Sequence, residues 1–211
     1  LLVFCSIANR ILAQTAVQYD IVFTGGRVID PETKLDAIRN VGILNSRIAQ
    51  ISAGPLQGKQ VIDVSGLVVA PGFIDLHVHG RSNTEQEYQF HDGVTTALEL
   101  EWGIENLGAW YAGRKGKAFI NYGASVNWPY ERFKSIDKYA AEVNKLVDYT
   151  NKGVASIDKT TNTILPAATV QLSDAEMAAT LKNIESSLAE GGIGIGVPIG
   201  YLPKSNPREM Y

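Results

Sequence analysis

The chain has 211 residues, 45% of them apolar, and a formal net charge of −3, so it has enough apolar content for a real core. It has no basic excess and no block of like charge, and therefore no electrostatic footprint for nucleic acid or an anionic membrane surface. Its one cysteine, Cys5, excludes an intrachain disulfide framework and any thiolate metal cluster.

Residues 1–18, "LLVFCSIANRILAQTAVQ", do not start with Met and open with a short apolar run. The run is far shorter than the roughly 20 apolar residues that span a bilayer. We read it as the remnant of a secretory signal cleaved near Ala13; Arg10 and the bulky Ile11 leave an amphipathic tail as the other reading. Phe4 argues against a lipid anchor on Cys5. The expected location is periplasmic or secreted, and otherwise cytoplasmic.

Residues 19–70 are short β-rich runs broken by turns. "YDIVFTGGRVID" reads as two strands around Gly25-Gly26, and "NVGILNSRIAQIS" as a hairpin turning at Asn45-Ser46. "KQVIDVSGLVVAPGFID" reads as a further pair broken at Ser65-Gly66. Strands this close together, with no helix between them, predict a small antiparallel, β-sandwich-like domain.

From residue 71 to 211 strand and helix alternate. "FIDLHVH" precedes the polar "GRSNTEQEYQFHDG", and "VTTALELEW" is the next strand. The helical "IENLGAWYAGRKG" then leads to "KAFINYGASV", and "DKYAAEVNKLVDYTNKG" is a further helix. In "LSDAEMAATLKNIESSLAEGG", Ser173 and Glu176 form a capping box, and Met177, Leu181, Ile184 and Leu188 recur at helical spacing. "IGIGVPIGYLP" follows as a strand. The pattern predicts a parallel α/β architecture with about four strand–helix units, whereas a complete (β/α)₈ barrel takes ~250 residues. The expectation is therefore a truncated barrel, its N-terminal half, behind the small β domain.

The chain has three histidines, and two of them stand in "PGFIDLHVHG". In an extended strand residues two apart share a face, so Asp75, His77 and His79 would project one way and Leu76 and Val78 the other. Imidazoles are common Zn²⁺ ligands, and the C-terminal end of a barrel strand opens onto the active-site mouth. The other reading is a polar strand end with structural histidines. His91, in "QFHDGVTT", reads as a helix-terminal residue away from that mouth. The glycines of "GGIGIGVPIG" do not follow phosphate-loop spacing, and read as places where a substrate or another backbone comes close. Tyr201, after that strand, is a weak substrate-contact candidate, as are Asn121, Tyr122 and Asn127, which are taken to follow the third strand.

"VVAPGFIDLHVHG", preceded by "DIVFTGGRVIDPET" and "VGILNSRIAQI", resembles the metal-dependent amidohydrolase superfamily, most closely its N-acyl-D-amino-acid deacylase and D-aminoacylase branch. "GVTTALELEWG" and the helix–strand segment ending "GIGIGVPIGYLP" extend the resemblance from Tyr19 to Tyr211. It implies that His77 and His79 are metal ligands and that Asp75 orients the strand end. The branch carries a cysteine ligand just before the final Gly of the second-strand motif, where this chain has Trp102. Glu101 is the replacement we favour, being nearer the strand's C-terminal end than Glu99, which reads as structural; the alternative for Glu101 is a salt bridge in the barrel mouth.

What the resemblance implies is hydrolysis of an amide C–N bond by metal-activated water. One or two Zn²⁺ ions, or another divalent metal, would serve, with an N-acyl amino acid or peptide-like substrate. It places two more histidines and a proton-carrying aspartate on later barrel strands, beyond Tyr211, so the 211-residue piece alone is expected to be inactive. A cyclic amidase of dihydroorotase or hydantoinase type is the alternative activity, although "GIGIGVPIGY" offers no lysine of the kind many of those enzymes carboxylate. A non-catalytic binding relative is the alternative of a different class.

Overall fold

The computed structural model describes residues 17–151 and 165–198, and the chain divides into two compact units, Leu1–Pro71 and Gly72–Tyr211. Cys5, Tyr201 and all but the end of the expected signal remnant lie outside the described residues, and Gln18 already opens the first strand.

The first unit is one five-stranded sheet of β1 (Gln18–Asp30), β2 (Leu35–Leu44), β3 (Arg47–Ser52), β4 (Gln57–Asp63) and β5 (Val68–Val69). Its order is β3-β2-β1-β4, with β5 also on β1. Asn45 and Ser46 have φ of 52° and 59°, the positive pair that suits a two-residue hairpin turn to strand twist, as the sequence predicted. Three expectations are corrected. "YDIVFTGGRVID" is one strand, because Gly25, at φ +73°, absorbs a register shift between Phe23 and Gly26 without ending the pairing. The sheet is mixed and not antiparallel, because the segments on either side of Ser65-Gly66 both pair in parallel with β1 and not with each other. The described strands also share a single sheet, so they do not form the two layers of a sandwich. Tyr19, Val22, Val28 and Val41 are buried, and the Tyr19 ring lies over Gly42, where a Cβ would stand 2.7 Å from it.

In the second unit β6 (Phe73–Asp75), α1 (Asn83–His91), β7 (Val94–Ile104), α2 (Leu107–Arg114) and β8 (Asn121–Asn127) follow in turn. Next come α3 (Trp128–Lys134), α4 (Asp137–Asn151), a 3₁₀ turn (Leu165–Thr169), α5 (Asp174–Ala189) and β9 (Ile195–Gly196). The strands pair in parallel in sequence order, β6-β7-β8-β9, an arrangement consistent with part of a (β/α) barrel. Ser173 and Glu176 cap α5 reciprocally as expected, and Ser82 and Glu85 do the same for α1. The sequence reading missed α3, which Asn127 caps and Pro129 starts. On α5 the buried stripe is centred on Thr180, Ile184 and Ser187, so Leu181 falls at its rim and is 55% exposed.

Ile104, Leu107, Ala124, Val126 and Ile184 form one core, joining β7 and β8 to α2 and α5. Phe133, Ile136, Tyr139, Val143, Ala167 and Leu172 form another, around α3 and α4. These cores fix the parallel sheet, whose C-terminal strand ends carry the site. Among the described residues no helix is long and apolar enough to cross a membrane.

Candidate metal centre

β6 ends at Asp75, so His77 and His79 lie just beyond the strand and not within it, as alternation had implied. The Asp75 carboxylate accepts the His77 backbone N–H at 3.0 Å, turning the chain there, and His77 returns to β7 through one bridge to Glu99. The imidazole centroids are 5.3 Å apart, with the rings at 89°. Asp75 thus holds the start of the histidine segment.

β7 supplies the other side of the site by leaving the ladder. It pairs with β8 as far as Glu99↔Ala124 and rejoins it only at Ile104↔Val126, so residues 100–103 bow outward. Such bulges re-aim side chains. Ser125 Oγ donates to the Leu100 carbonyl at 2.8 Å and holds the excursion from the β8 side. Gly103, at φ +76°, presses it against β8: a Cβ there would stand 2.5 Å from the Ser125 carbonyl oxygen. Gly196 of β9 lies against the same excursion, its ideal Cβ position 2.8 Å from the Glu101 carbonyl oxygen. The close backbone approach expected of that glycine-rich strand is therefore to Glu101 and Trp102.

The excursion brings Glu101 Oε2 to 2.9 Å from His77 Nε2 and 3.4 Å from His79 Nε2. Ligand atoms of His77, His79 and Glu101 all lie within 4.8 Å of one another. Donors ~2.1 Å from a tetrahedral ion stand roughly 3.4 Å apart, so this nitrogen and oxygen set fits a divalent metal with little movement. Glu99, 2% exposed, stands behind His79 with its oxygens 3.2 and 3.3 Å from Nδ1. A carboxylate accepts, so with a metal on Nε2 this contact would hold the proton on Nδ1. Burial pushes the Glu99 carboxyl above its ordinary range, opposed by the positive field of Arg81 and by His79.

Of the other candidates, His91 ends α1 and takes no part in the cluster. Asn121 opens β8 at its N-terminal end, and Tyr122 packs against Trp110; neither follows the strand. Asn127 closes β8, where its side chain caps α3 and donates to Glu105 at 2.8 Å. The sequence reading missed Arg81 and Glu105, which pair at 2.7 Å beside the cluster. Glu105, directly after the C-terminal end of β7, carried a usable signal in its position; Arg81, in a polar run, carried none.

No known family model matches the sequence. Over 80 residues the chain is 44% identical to a dihydroorotase of Streptococcus pyogenes serotype M3, a match spanning 36% of this chain and 19% of that enzyme. An adenine deaminase of Brucella suis matches at 40% over 84 residues, 37% of this chain and 14% of that protein. N-acyl-D-glutamate deacylase of Bordetella bronchiseptica, solved with zinc and a phosphonate inhibitor, superposes with a TM-score of 0.65 at 20% identity, over 89% of this chain and 40% of that one. D-aminoacylase, described as defining a subset of amidohydrolases, superposes with a TM-score of 0.63 at 20% identity over the same shares.

The chain resembles the amidohydrolases in sequence and in fold. It spans about two fifths of the length of these amidohydrolase structures. The residues that converge are at the C-terminal ends of its first two parallel strands, β6 and β7, where the amidohydrolase resemblance had implied a metal.

Proposed function

We propose that the protein is a metal-dependent hydrolase of amide C–N bonds, acting on small N-acyl amino acids or peptide-like substrates. The observation that carries this reading is the convergence of His77, His79 and Glu101 in a fold shared with N-acyl-D-glutamate deacylase. In this reading the three side chains hold a divalent metal, zinc by its donor set, and a second ion is compatible with the bridging capacity of Glu101. When bound, the metal lowers the pKa of water and polarises the scissile carbonyl. The chain's own residues would hold it: Glu99 would keep the Nδ1 proton of a metal-bound His79, Asp75 turns the chain into His77, and the β7 excursion presents Glu101. Read as a signal remnant, the apolar run that opens the sequence would direct export to the periplasm or beyond.

Metal analysis of the purified protein beside His77→Ala and Glu101→Ala variants tests the site. Each variant should lose most of the bound metal while keeping its far-UV circular dichroism; unchanged metal content in both sinks the assignment. A second activity, cyclic amide hydrolysis, is favoured by the 80-residue likeness to dihydroorotase. In the full-length protein, turnover of N-acyl-D-amino acids against dihydroorotate and hydantoins separates the two, and metal binding there without any turnover leaves a binding relative.

A further inference from the structure

We propose that Arg81 is a positioning residue, a clamp that fixes the histidine segment to the Glu101 excursion and so sets the geometry of the metal centre; this rests on the metal reading above. Arg81 lies two residues after His79, and Gly103 two residues after Glu101. The Arg81 guanidinium spans the two segments: Nη1 donates to Glu105 Oε2 at 2.7 Å and Nη2 to the Gly103 carbonyl at 3.2 Å. The side chains of Arg81 and Glu105 are only 25% and 15% exposed, so the pair is largely shielded from water.

Glu105 is fixed from the other side as well. Its Oε1 accepts from Asn127 Nδ2 at 2.8 Å, while Asn127 Oδ1 accepts the Tyr130 N–H at 2.9 Å. The chain of contacts therefore runs from His79 through Arg81 and Glu105 to the end of β8 and the start of α3. The Arg81 backbone is held too, its carbonyl accepting from Trp110 Nε1 at 3.1 Å and from the buried Arg114 guanidinium. Arg81 itself contacts none of the three metal-facing atoms in this arrangement. It acts on them by holding both segments, one of which has left the sheet ladder. A planar fork can bridge a carboxylate and a carbonyl at once; an ammonium on a flexible stem has no such preset geometry.

Apo protein titrated with Co²⁺ gives an affinity and a visible spectrum that reports ligand geometry. Arg81→Met should weaken Co²⁺ about 10-fold or more, as loss of residues that orient ligands does, and alter the spectrum. Arg81→Lys keeps a cation beside Glu105 and the fold, and should recover part of the affinity while retaining an altered spectrum. Wild-type Co²⁺ affinity and spectrum in Arg81→Met, or in Arg81→Lys where the Met variant does not fold, overturns the clamp. If His77→Ala abolishes Co²⁺ binding alongside that result, the metal reading stands and the clamp alone fails. Undiminished Co²⁺ binding by His77→Ala removes the metal reading, and the clamp with it.

Discussion

Replacing Gly103 by alanine tests how firmly the β7 excursion is wedged against its neighbour. Two costs are expected. The residue sits at φ +76°, where a Cβ costs an L-residue about 1 kcal/mol. The new methyl would also stand 2.5 Å from the Ser125 carbonyl oxygen and 2.6 Å from the Val126 carbonyl carbon. Both are backbone atoms of β8, which is paired on both sides, so neither can rotate away. Overpacking of this kind adds ~1–3 kcal/mol, for a total of ~2–4 kcal/mol. Gly116 supplies the control: its φ is +73° and nothing lies within 4 Å of its ideal Cβ position, so alanine there meets only the backbone cost. Both residues belong to the second unit, so urea unfolding of that unit reports both variants against one transition. Gly103→Ala should lose ~1–3 kcal/mol more than Gly116→Ala, and bind Co²⁺ more weakly because Glu101 is displaced. Equal midpoints for the two variants would falsify the wedge.

Other consequences follow from local geometry. Ser46→Gly should stabilise the first unit by about 0.5 kcal/mol, because glycine carries no penalty at φ 59°, partly offset by its greater freedom when unfolded; a lowered thermal midpoint counts against that turn geometry. Ser173→Ala should cost about 1 kcal/mol through loss of the α5 cap. The same variant has a pH signature. The hydrogen bond from Ser173, seconded by its backbone N–H, holds the Glu176 carboxyl below its ordinary range in the folded state. Its contribution is therefore complete above the unfolded glutamate pKa of ~4.3 and is lost as pH falls through the lower folded value. The wild type should destabilise on acidification through that window, and Ser173→Ala should do so less steeply; parallel pH profiles argue against the linkage.

What was legible in the sequence was mostly local. Asn45-Ser46 and the Ser173–Glu176 box each act within a few residues, so their chemistry names the structure directly. The box at Ser82 and Glu85 and the Asn127 cap before Pro129 were equally explicit signals; α1 lacked an apolar stripe, and α3, at seven residues, showed no period. Pairing was less visible. Nothing near Ser65-Gly66 says that the strands on either side both seek β1, a partner some forty residues back. The candidate ligands His77, His79 and Glu101 were named because the resemblance pointed to them, but the means of bringing them together was not legible. Alternation placed the histidines in a strand, whereas they converge with Glu101 through a turn at Asp75 and a departure of β7 from its ladder. A register shift depends on which atoms of β8 and β9 lie alongside, and no pattern within "ALELEWG" records that.

That departure separates two kinds of constraint on the same strand. Pairing is fixed at Glu99 and resumes at Ile104, and Gly103 is pinned against β8, so within the interval the ladder leaves the side chains at positions 101 and 102 unspecified. The deacylase resemblance implies a cysteine ligand at the position of Trp102; here the neighbouring Glu101 carboxylate faces the histidines. An interval of this kind works as a replaceable cassette. On the metal reading, ligand chemistry can be exchanged within it, hard donor for soft, and the preference for one ion over another retuned, while the strands on either side keep their register and the core keeps its packing.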